Sequence, residues 1–596
     1  MKEEKTKDFG QYFYRASAAD FIQIPGGPIA YWLSPRFLEL FASAERLSDI
    51  ASPCAGLQTS DNNRFLRLWH EVSQDKLILK CSGREESKRS GGKWFPCTKG
   101  GSYRRWYGNN DFVVNWENDG EELYEFAGEL YGSATRIIKN ASRYFEAGLT
   151  WSSIAPVFSM RYAPEGFIFE TKGSMCFPER SSDMMPLLAL TNSKVIEQAL
   201  SIFSPTLDFH EGPLGKVPIS YGNSKELSGI IASRAVTLSS LDWDSFETSW
   251  DFSNLPLLSN KFRTLEIKEA YRQLCTQWQD MVLEMRQLEE ENNKIFIQAY
   301  GLQDELEPNV ALEEISLTCN PIYRYGAYRS EKELETLAQC DTIEELVSYI
   351  IGCIMGRYSL DEPGLILARQ TDTILDFYSR IPAPSFAPDD DAILPLTNQE
   401  WFSDDATNQV QEFVRVVWGD EHLKQNLDFI AESLCLHAIK PKRGESALDT
   451  VRRYLSTQFF KDHLRTYRKR PIYWLFSSGK HKAFECLVYL HRCNEGTLAR
   501  MRTEYVIPLS AKLNAYAEKL DQDIEASTSA AETKRLEKEV ASLHKQQGEL
   551  AEFDEKLRHY ADQRIKLNLD DGVKANYGKF GDLLAEVKAV TGESPQ

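Results

Sequence analysis

"TLEIKEAYRQLCTQWQDMVLEMRQLEEENNKIFIQAYGL", Thr264 to Leu302, divides the chain into two kinds of text. Leu274, Trp278, Met281, Met285 and Leu288 recur at spacings of three and four, which puts them on one face of a long helix, and Gly301 supplies its C-terminal cap. Such a stripe reads as bundle core rather than as a ligand site. Before it, over residues 20–260, the elements are short and mixed. "DKLILKC", "FVVNW", "FIFET" and "KVPIS" are β-type runs bounded by turn residues, and "LLALTNSKVIEQALSIF" has helical spacing at Leu187, Leu188, Val195, Ile196 and Leu200. After it, helical text dominates. "TIEELVSYIIGCIMGRYSLD" carries Gly352 and Gly356 at a spacing that allows close packing, and "VQEFVRVVWG", "LDFIAESLCLH" and "DTVRRYLSTQFFKDHLRTY" follow. Leu536, Leu543, Leu550 and Leu557 recur every seven residues, the mark of a coiled-coil hairpin.

The expected fold class is therefore α+β. A mixed α/β domain precedes largely α-helical domains, and a helical hairpin closes the chain. The expected divisions are an N-terminal remnant or linker over 1–19, the mixed domain over 20–260 and a helical domain over 261–378. The Pro- and Asp-rich "SRIPAPSFAPDDDAILP", 379–395, reads as a linker. A basic helical domain over 396–510 and a hairpin with tail over 511–596 complete the series. At 596 residues the chain far exceeds the roughly 250–300 residues at which a single core stops growing.

Composition excludes several classes. No run approaches the ~18 uninterrupted apolar residues of a membrane span. "MKEEKTKDFG" has no apolar run behind it to make a secretory signal, so a cytoplasmic location is expected. Eleven cysteines without a C-x-x-C give neither a disulfide framework nor a zinc site. Cys486 and Cys493 near His481 and His491 fit no common metal spacing and read as partly buried helix residues. The net charge of -19 argues against indiscriminate coating of nucleic acid, but the charge is uneven. Lys76–Asn110 carries nine basic and two acidic residues, and Lys461–Tyr505 carries ten and four. Acid is concentrated in "WENDGEELYEFAGE", "LEEEN" and "APDDDA". Segregation of this kind makes patches on an acidic protein.

Catalytic motifs are missing: there is no phosphate-binding G-x-x-x-x-G-K-[ST], G-x-G-x-x-G or H-E-x-x-H. "TCNPIYRYG" comes nearest. Asn320, Pro321 and Tyr323 match the [DN]-P-P-[YF] of amino-methyltransferases, but Ile322 stands where the second proline would aim its carbonyl. A turn is the expected role. Polar clusters are better supported. In "TKGGSYRRWYGNNDFVVNW", Thr98–Trp116, Gly100 and Gly101 allow close backbone approach. Lys99, Arg104 and Arg105 offer phosphate or guanine contacts, with Ser102 and Tyr103 beside them. Asn109 and Asn110 offer an adenine edge two amides, and Trp106 and Tyr107 offer stacking or packing. "GLQTSDNNRFLRLW" adds Thr59, Ser60, Asn62, Asn63 and Arg64. "TWSSIAPVFSMRYAPEGFIFETKGSMCF" adds Ser152, Ser159, Arg161, Lys172 and Ser174. Each cluster alone reads as a turn or a strand-end polar group. Three within ~120 residues, beside a basic segment, point to DNA recognition.

The same stretches carry a resemblance. "SDNNRFLR", "KWFPCTKGGSYRRWYGNNDFVVNW", "FSMRYAPEGFIFETKGS" and "SPTLDFHEGPLGKVPI" look like the target-recognition domain of fused adenine-specific DNA methyltransferases. "LDWDSFETSWDF", "LEEENNKIFIQAYGLQDEL", "IIGCIMGRYSLD" and "RPIYWLFSSGKHKAFECLVYLHR" extend the likeness over nearly the whole chain, to the methyltransferases of BREX phage-exclusion systems. The resemblance implies N6-adenine methylation of a short nonpalindromic site in host DNA. It also implies a catalytic domain that binds S-adenosyl-L-methionine and precedes the segment seen here. The opening "GQYFYRASAADFIQIPGGPIAYWLS" looks like the region just after that domain. The expectation is a recognition portion with no cofactor or catalytic residue of its own. Its expected partners are double-stranded DNA, a catalytic methyltransferase chain or domain, and other phage-defence proteins, with no membrane. The rival readings are an active adenine-specific DNA methyltransferase in its own right and a protein-interaction scaffold of the defence complex.

Overall fold

Ile267–Tyr300 is one continuous helix, and Gly301 follows it with a left-handed φ of 70°. The expected stripe is only part of what this helix buries. Leu274 and Met285 are buried and Trp278, Met281 and Leu288 half-buried, but Val282, Ile295, Phe296 and Tyr300 are buried as well. So are three polar residues of the acidic-looking run, Glu289, Asn292 and Asn293. Their spacing of three and four sets them on one face, where each finds an internal partner. Asn292 donates to the Ala189 carbonyl at 2.8 Å, and Asn293 accepts from the Lys194 amide at 3.0 Å.

The computed structural model describes Ser17, residues 21–263 and residues 266–593. The expected segment 1–19 thus lies outside the described residues, Ser17 excepted. The α+β class holds, with small sheets, many helices and a helical C-terminal region. No described helix is long and apolar enough to cross a membrane. The chain divides into two compact units, each built from separated segments. The first comprises the described residues up to Leu66 with Ile78–Trp243 and Trp278–Ala327. The second comprises Arg67–Leu77, Asp244–Gln277 and the described residues from Tyr328 onward.

In the first unit, an antiparallel sheet runs in the order Ala51–Cys54, Met175–Pro178, Gly148–Trp151, Met160–Ala163. A second sheet pairs Trp94–Thr98 antiparallel with Phe112–Asn115 and parallel with Ile168–Phe169. Three of the four expected β-runs contribute strands. In "DKLILKC" a tight turn, Gln74–Lys76, takes the strand's place. The stretch from Leu187 to Phe203 is two helices, Met184–Thr191 and Lys194–Phe203. Asn192 breaks it by docking on a strand: its side chain accepts from the Met160 amide and donates to the Met160 carbonyl, both at 2.9 Å.

The second unit holds the expected helices Glu331–Ile354, Ala406–Trp418 and Leu423–Leu434. It also holds an antiparallel sheet of Ile393–Pro395, Glu485–Tyr489 and Tyr473–Ser477. The segment read as a linker therefore contributes an edge strand, and Cys486 sits in a strand rather than a helix. Apolar "IYWLF" and "FECLVY" around the polar "SSGKHK" make a hairpin. Toward the C-terminus, Ile507–Ala526 and Ala530–Asp562 form the expected helical hairpin, with all four heptad leucines buried. Tyr516 donates to Glu539 at 2.5 Å and Arg502 pairs with Asp554 at 2.7 Å, so the two helices run antiparallel.

Leu550→Ala removes a fully buried hairpin side chain and is expected to cost about 2–5 kcal/mol. Lys545→Ala, on the exposed face, is expected to change stability by no more than about 0.5 kcal/mol. Urea denaturation midpoints check both.

Candidate nucleic-acid interface

The strand Trp94–Thr98 leaves the sheet into the loop that returns at Phe112. Two glycines decide where this loop lies. A Cβ on Gly100, whose φ is 79°, would sit 2.6 Å from the Lys172 carbonyl oxygen. One on Gly108, at φ 116°, would sit 2.6 Å from Cδ of Arg104 and 2.9 Å from the Trp243 ring. Only glycine permits both approaches. The close contacts are thus to the protein itself. Trp106 joins the edge of the strand Met160–Ala163: its amide donates to the Met160 carbonyl at 3.0 Å, and the Tyr162 amide donates to its carbonyl at 2.7 Å.

The arginines read as phosphate contacts point inward. Arg104 pairs with Asp242 at 3.1 Å, bonds the Thr318 hydroxyl and lies 5.0 Å from the Trp243 ring centroid. Asp242 also accepts from the amides of Thr318 and Cys319, at 2.7 and 2.8 Å. Arg105 pairs with Glu289 at 2.5 Å and with Glu314 at 3.6 Å, while its amide donates to the Ser316 hydroxyl at 2.9 Å. The other Glu289 oxygen accepts from the Trp106 indole at 2.8 Å. Burial works against the Arg105 charge, but Glu289, Tyr103 and Glu314 hold its pKa above the ordinary arginine value. Burial raises the Glu289 carboxyl in turn, and Arg105 opposes the rise. Arg161 is 1% exposed, and among the described residues its side chain bonds only the Arg104 carbonyl, at 3.4 Å. Burial and then the Arg104 charge push it down to about 10, so it remains a cation at neutral pH.

The other expected residues divide between the interior and a rim. Inside are Thr59, Asn109, Asn110, Ser152 and Ser159. Thr59 donates to Asn62 at 2.5 Å, Asn109 to the Ser102 carbonyl at 2.8 Å, and Ser152 to the Gly101 carbonyl at 3.1 Å. Tyr103 is half-buried and donates to the Glu314 carbonyl at 3.2 Å. Ser60, Asn62, Asn63, Arg64, Ser102 and Lys172 are exposed, and Lys99 is half-exposed. Lys99 ties the clusters together, bonding Asn62 of the first at 3.2 Å and Glu170 of the third at 2.9 Å. Gly100 packs on the carbonyl of Lys172, and Arg64 pairs with Glu122 at 2.7 Å. Three clusters separated in sequence thus meet at one edge of the first unit, presenting amides, hydroxyls and cations. Sequence reasoning missed Asp242, Glu289 and Glu314, the acids that receive the arginines. The one signal was the spacing of Glu289, Asn292 and Asn293 along a helix face.

Asn320, the residue nearest to a methyltransferase motif, caps the short helix Pro321–Tyr325. Its oxygen accepts from the Ile322 amide at 3.2 Å, and its nitrogen donates to the carbonyls of Leu312 and Ile315 at 2.7 and 2.9 Å. A side chain so committed does not fit an adenine amino group.

No family model matches the chain. Over 582 residues, 97% of its length, it is 46% identical to the adenine-specific methyltransferase BrxX of Escherichia coli O9:H4 (strain HS). Over 579 residues, 95% of its length, it is 36% identical to the adenine-specific methyltransferase PglX of Lacticaseibacillus casei (strain Zhang). These alignments cover 46% and 45% of the two proteins, so the chain spans about half the length of the curated relatives it matches. The resemblance read from the motifs holds as homology to these two methyltransferases along nearly the entire chain.

Arg105→Ala leaves Glu289 buried and unpaired, and truncations of this kind cost about 3–5 kcal/mol. Lys172→Ala is expected to stay within about 0.5 kcal/mol of the parent. Chemical denaturation separates them, and an unchanged midpoint in Arg105→Ala would refute the structural role of the pair.

Proposed function

We propose that the chain is the DNA-recognition portion of an N6-adenine DNA methyltransferase of a BREX-type phage-defence system. In this reading it directs methylation of host DNA by a catalytic domain that uses S-adenosyl-L-methionine. The observation that carries it is the meeting of three polar clusters on one rim, in a chain homologous to two adenine-specific methyltransferases. The rim is the reading surface. Lys172, exposed and without an ion-pair partner among the described residues, meets a phosphate. Asn62, Asn63, Ser60 and Ser102 supply the donors and acceptors that tell base edges apart. Arg104, Arg105 and Arg161 act beneath them, fixing the loop rather than touching DNA. Asn320 is a helix cap and supplies no step of methyl transfer, so chemistry belongs to the catalytic domain. The protein location that goes with this role is the cytoplasm, beside the host chromosome.

Duplex binding measured by fluorescence anisotropy tests the reading. Lys172→Ala is expected to weaken binding to all sequences and to lower the slope of log K against log salt by about one. Asn63→Ala is expected to cost about 1–3 kcal/mol on the preferred sequence and to relax the preference. Calorimetric titration with S-adenosyl-L-methionine is expected to give no binding heat. Rim variants that bind duplex as the parent does would overturn the surface assignment. A saturable heat with the cofactor would favour the rival reading of a self-sufficient methyltransferase.

A further inference from the structure

The second unit encloses a cluster of charged and aromatic side chains that DNA recognition does not use. Arg357 is wholly buried at the end of the helix Glu331–Ile354, where its amide donates to the Gly352 carbonyl at 2.8 Å. Its guanidinium faces three rings, with centroids 5.6 Å away for Trp69, 5.5 Å for Tyr358 and 5.9 Å for Tyr489. Nε and Nη1 donate to the hydroxyls of Tyr358 and Tyr489, at 3.2 and 3.0 Å. Among the described residues Nη2 has no hydrogen-bond partner, and no carboxylate lies within ion-pairing distance of the group. Rings facing a cation recover part of its hydration, but they accept no hydrogen bond in the guanidinium plane.

Other donors of the same cluster are also unpartnered. His463 uses Nε2 to accept from the amides of Ile472 and Tyr473, both at 3.1 Å. Its proton therefore sits on Nδ1, which donates to nothing. Burial, and then the Arg357 charge, push this imidazole down to about 3, so it stays neutral. Its ring stacks on Tyr473 at 4.8 Å, and the Tyr473 hydroxyl has no partner either. Tyr473 in turn packs on Tyr489, 5.6 Å away, which holds Arg357. One cation without an ion-pair partner among the described residues and two neutral donors thus share one buried cluster. Glu247, the nearby acid, accepts from the Ser348 hydroxyl at 2.5 Å through one oxygen, and its other oxygen has no hydrogen-bond partner among the described residues. Burial pushes its carboxyl up to about 7, so at neutral pH it offsets the arginine only in part.

Buried donors without acceptors cost free energy, and a buried unpaired charge costs more, so natural proteins satisfy such groups with an ion or ordered water. We propose that Arg357 Nη2, the Tyr473 hydroxyl and His463 Nδ1–H form an internal binding site for a small monovalent anion of the halide class, held as a structural ion of the second unit. A halide suits the site because it accepts several donors at once and needs none in return. A carboxylate or phosphate would bring more acceptors than the three donors serve.

Bromide is the probe, because it replaces chloride and can be located by anomalous scattering. Crystals of the full chain grown with sodium bromide are expected to show an anomalous peak within hydrogen-bonding reach of Arg357. In solution, the thermal midpoint is expected to rise linearly with log bromide concentration once the site fills, at ionic strength held constant with gluconate. That slope is expected to shrink in Tyr473→Phe and to vanish in Arg357→Met. Should Arg357→Met fail to fold, Tyr473→Phe and the parent's anomalous map still decide. Density at the site without anomalous signal would mean water and overturn the proposal. So would a peak in the crystal with no bromide dependence in solution, or the same slope in parent and variants.

Discussion

The loop from Thr98 to Phe112, which carries part of the first unit's rim, is anchored by two buried carboxylates. Glu289 holds both Arg105 and the Trp106 indole, and Asp242 holds Arg104 together with two backbone amides. Each acid belongs to a helix and each arginine to the same irregular loop, so the loop is pinned at adjacent residues from two directions. Desolvating these charges is expensive, and ion pairs repay it only where geometry and extra hydrogen bonds are good. Here they are: every oxygen named has a donor at or under 3.1 Å. The pairs therefore select one register for the loop, since any shift by a residue would bury an arginine without its acid.

This explains how the reading of the sequence succeeds in some places and misleads in others. Periodic features were legible because their cause is local. The long helix, its glycine end, the heptad leucines and most β-runs follow from which residues share a face. The basic character of Thr98–Trp116 was legible too, but its direction was not. The partners of Arg104 and Arg105 lie 138 and 184 residues away in sequence, and Glu289 stands in the run "LEEEN" that a charge count assigns to an acidic surface. A count of charges sees sign and density, whereas burial depends on contacts no window contains. The glycines misled in the same way: Gly100 and Gly108 do permit close approach, to Lys172 and Arg104 rather than to a ligand. In the second unit, Ile393–Pro395, the end of the Pro- and Asp-rich segment, finds a strand partner far along the chain, a pairing no local window contains.

Of the polar residues singled out in the three clusters, the seven that stand at the rim are short or flexible side chains, and the arginines beneath them are fixed. This is the arrangement a reading surface needs. Recognition of base edges depends on donors held within a narrow tolerance, and a loop anchored by buried pairs has little conformational freedom left to lose on binding. Lys99 illustrates the division, spending its charge on Glu170 and its remaining reach on positioning Asn62.

The charge balance at this edge also bears on how such a surface would work in an acidic chain. Arg104 and Arg105 are neutralised internally, Arg64 is paired with Glu122 and Lys99 with Glu170, which leaves Lys172 as the rim cation without a described carboxylate partner. Affinity that came mainly from phosphate neutralisation would require many more exposed cations, because each contact contributes separately to counterion release. On the proposed reading, a rim of amides and hydroxyls with one unpaired lysine would contribute little to nonspecific attraction and much to discrimination. The chain's net charge of -19 would then be an advantage, since repulsion from DNA at long range would suppress binding wherever the base-edge contacts fail to form. Under the proposed reading, the buried arginines would serve recognition without meeting the nucleic acid, by holding the rim in one shape.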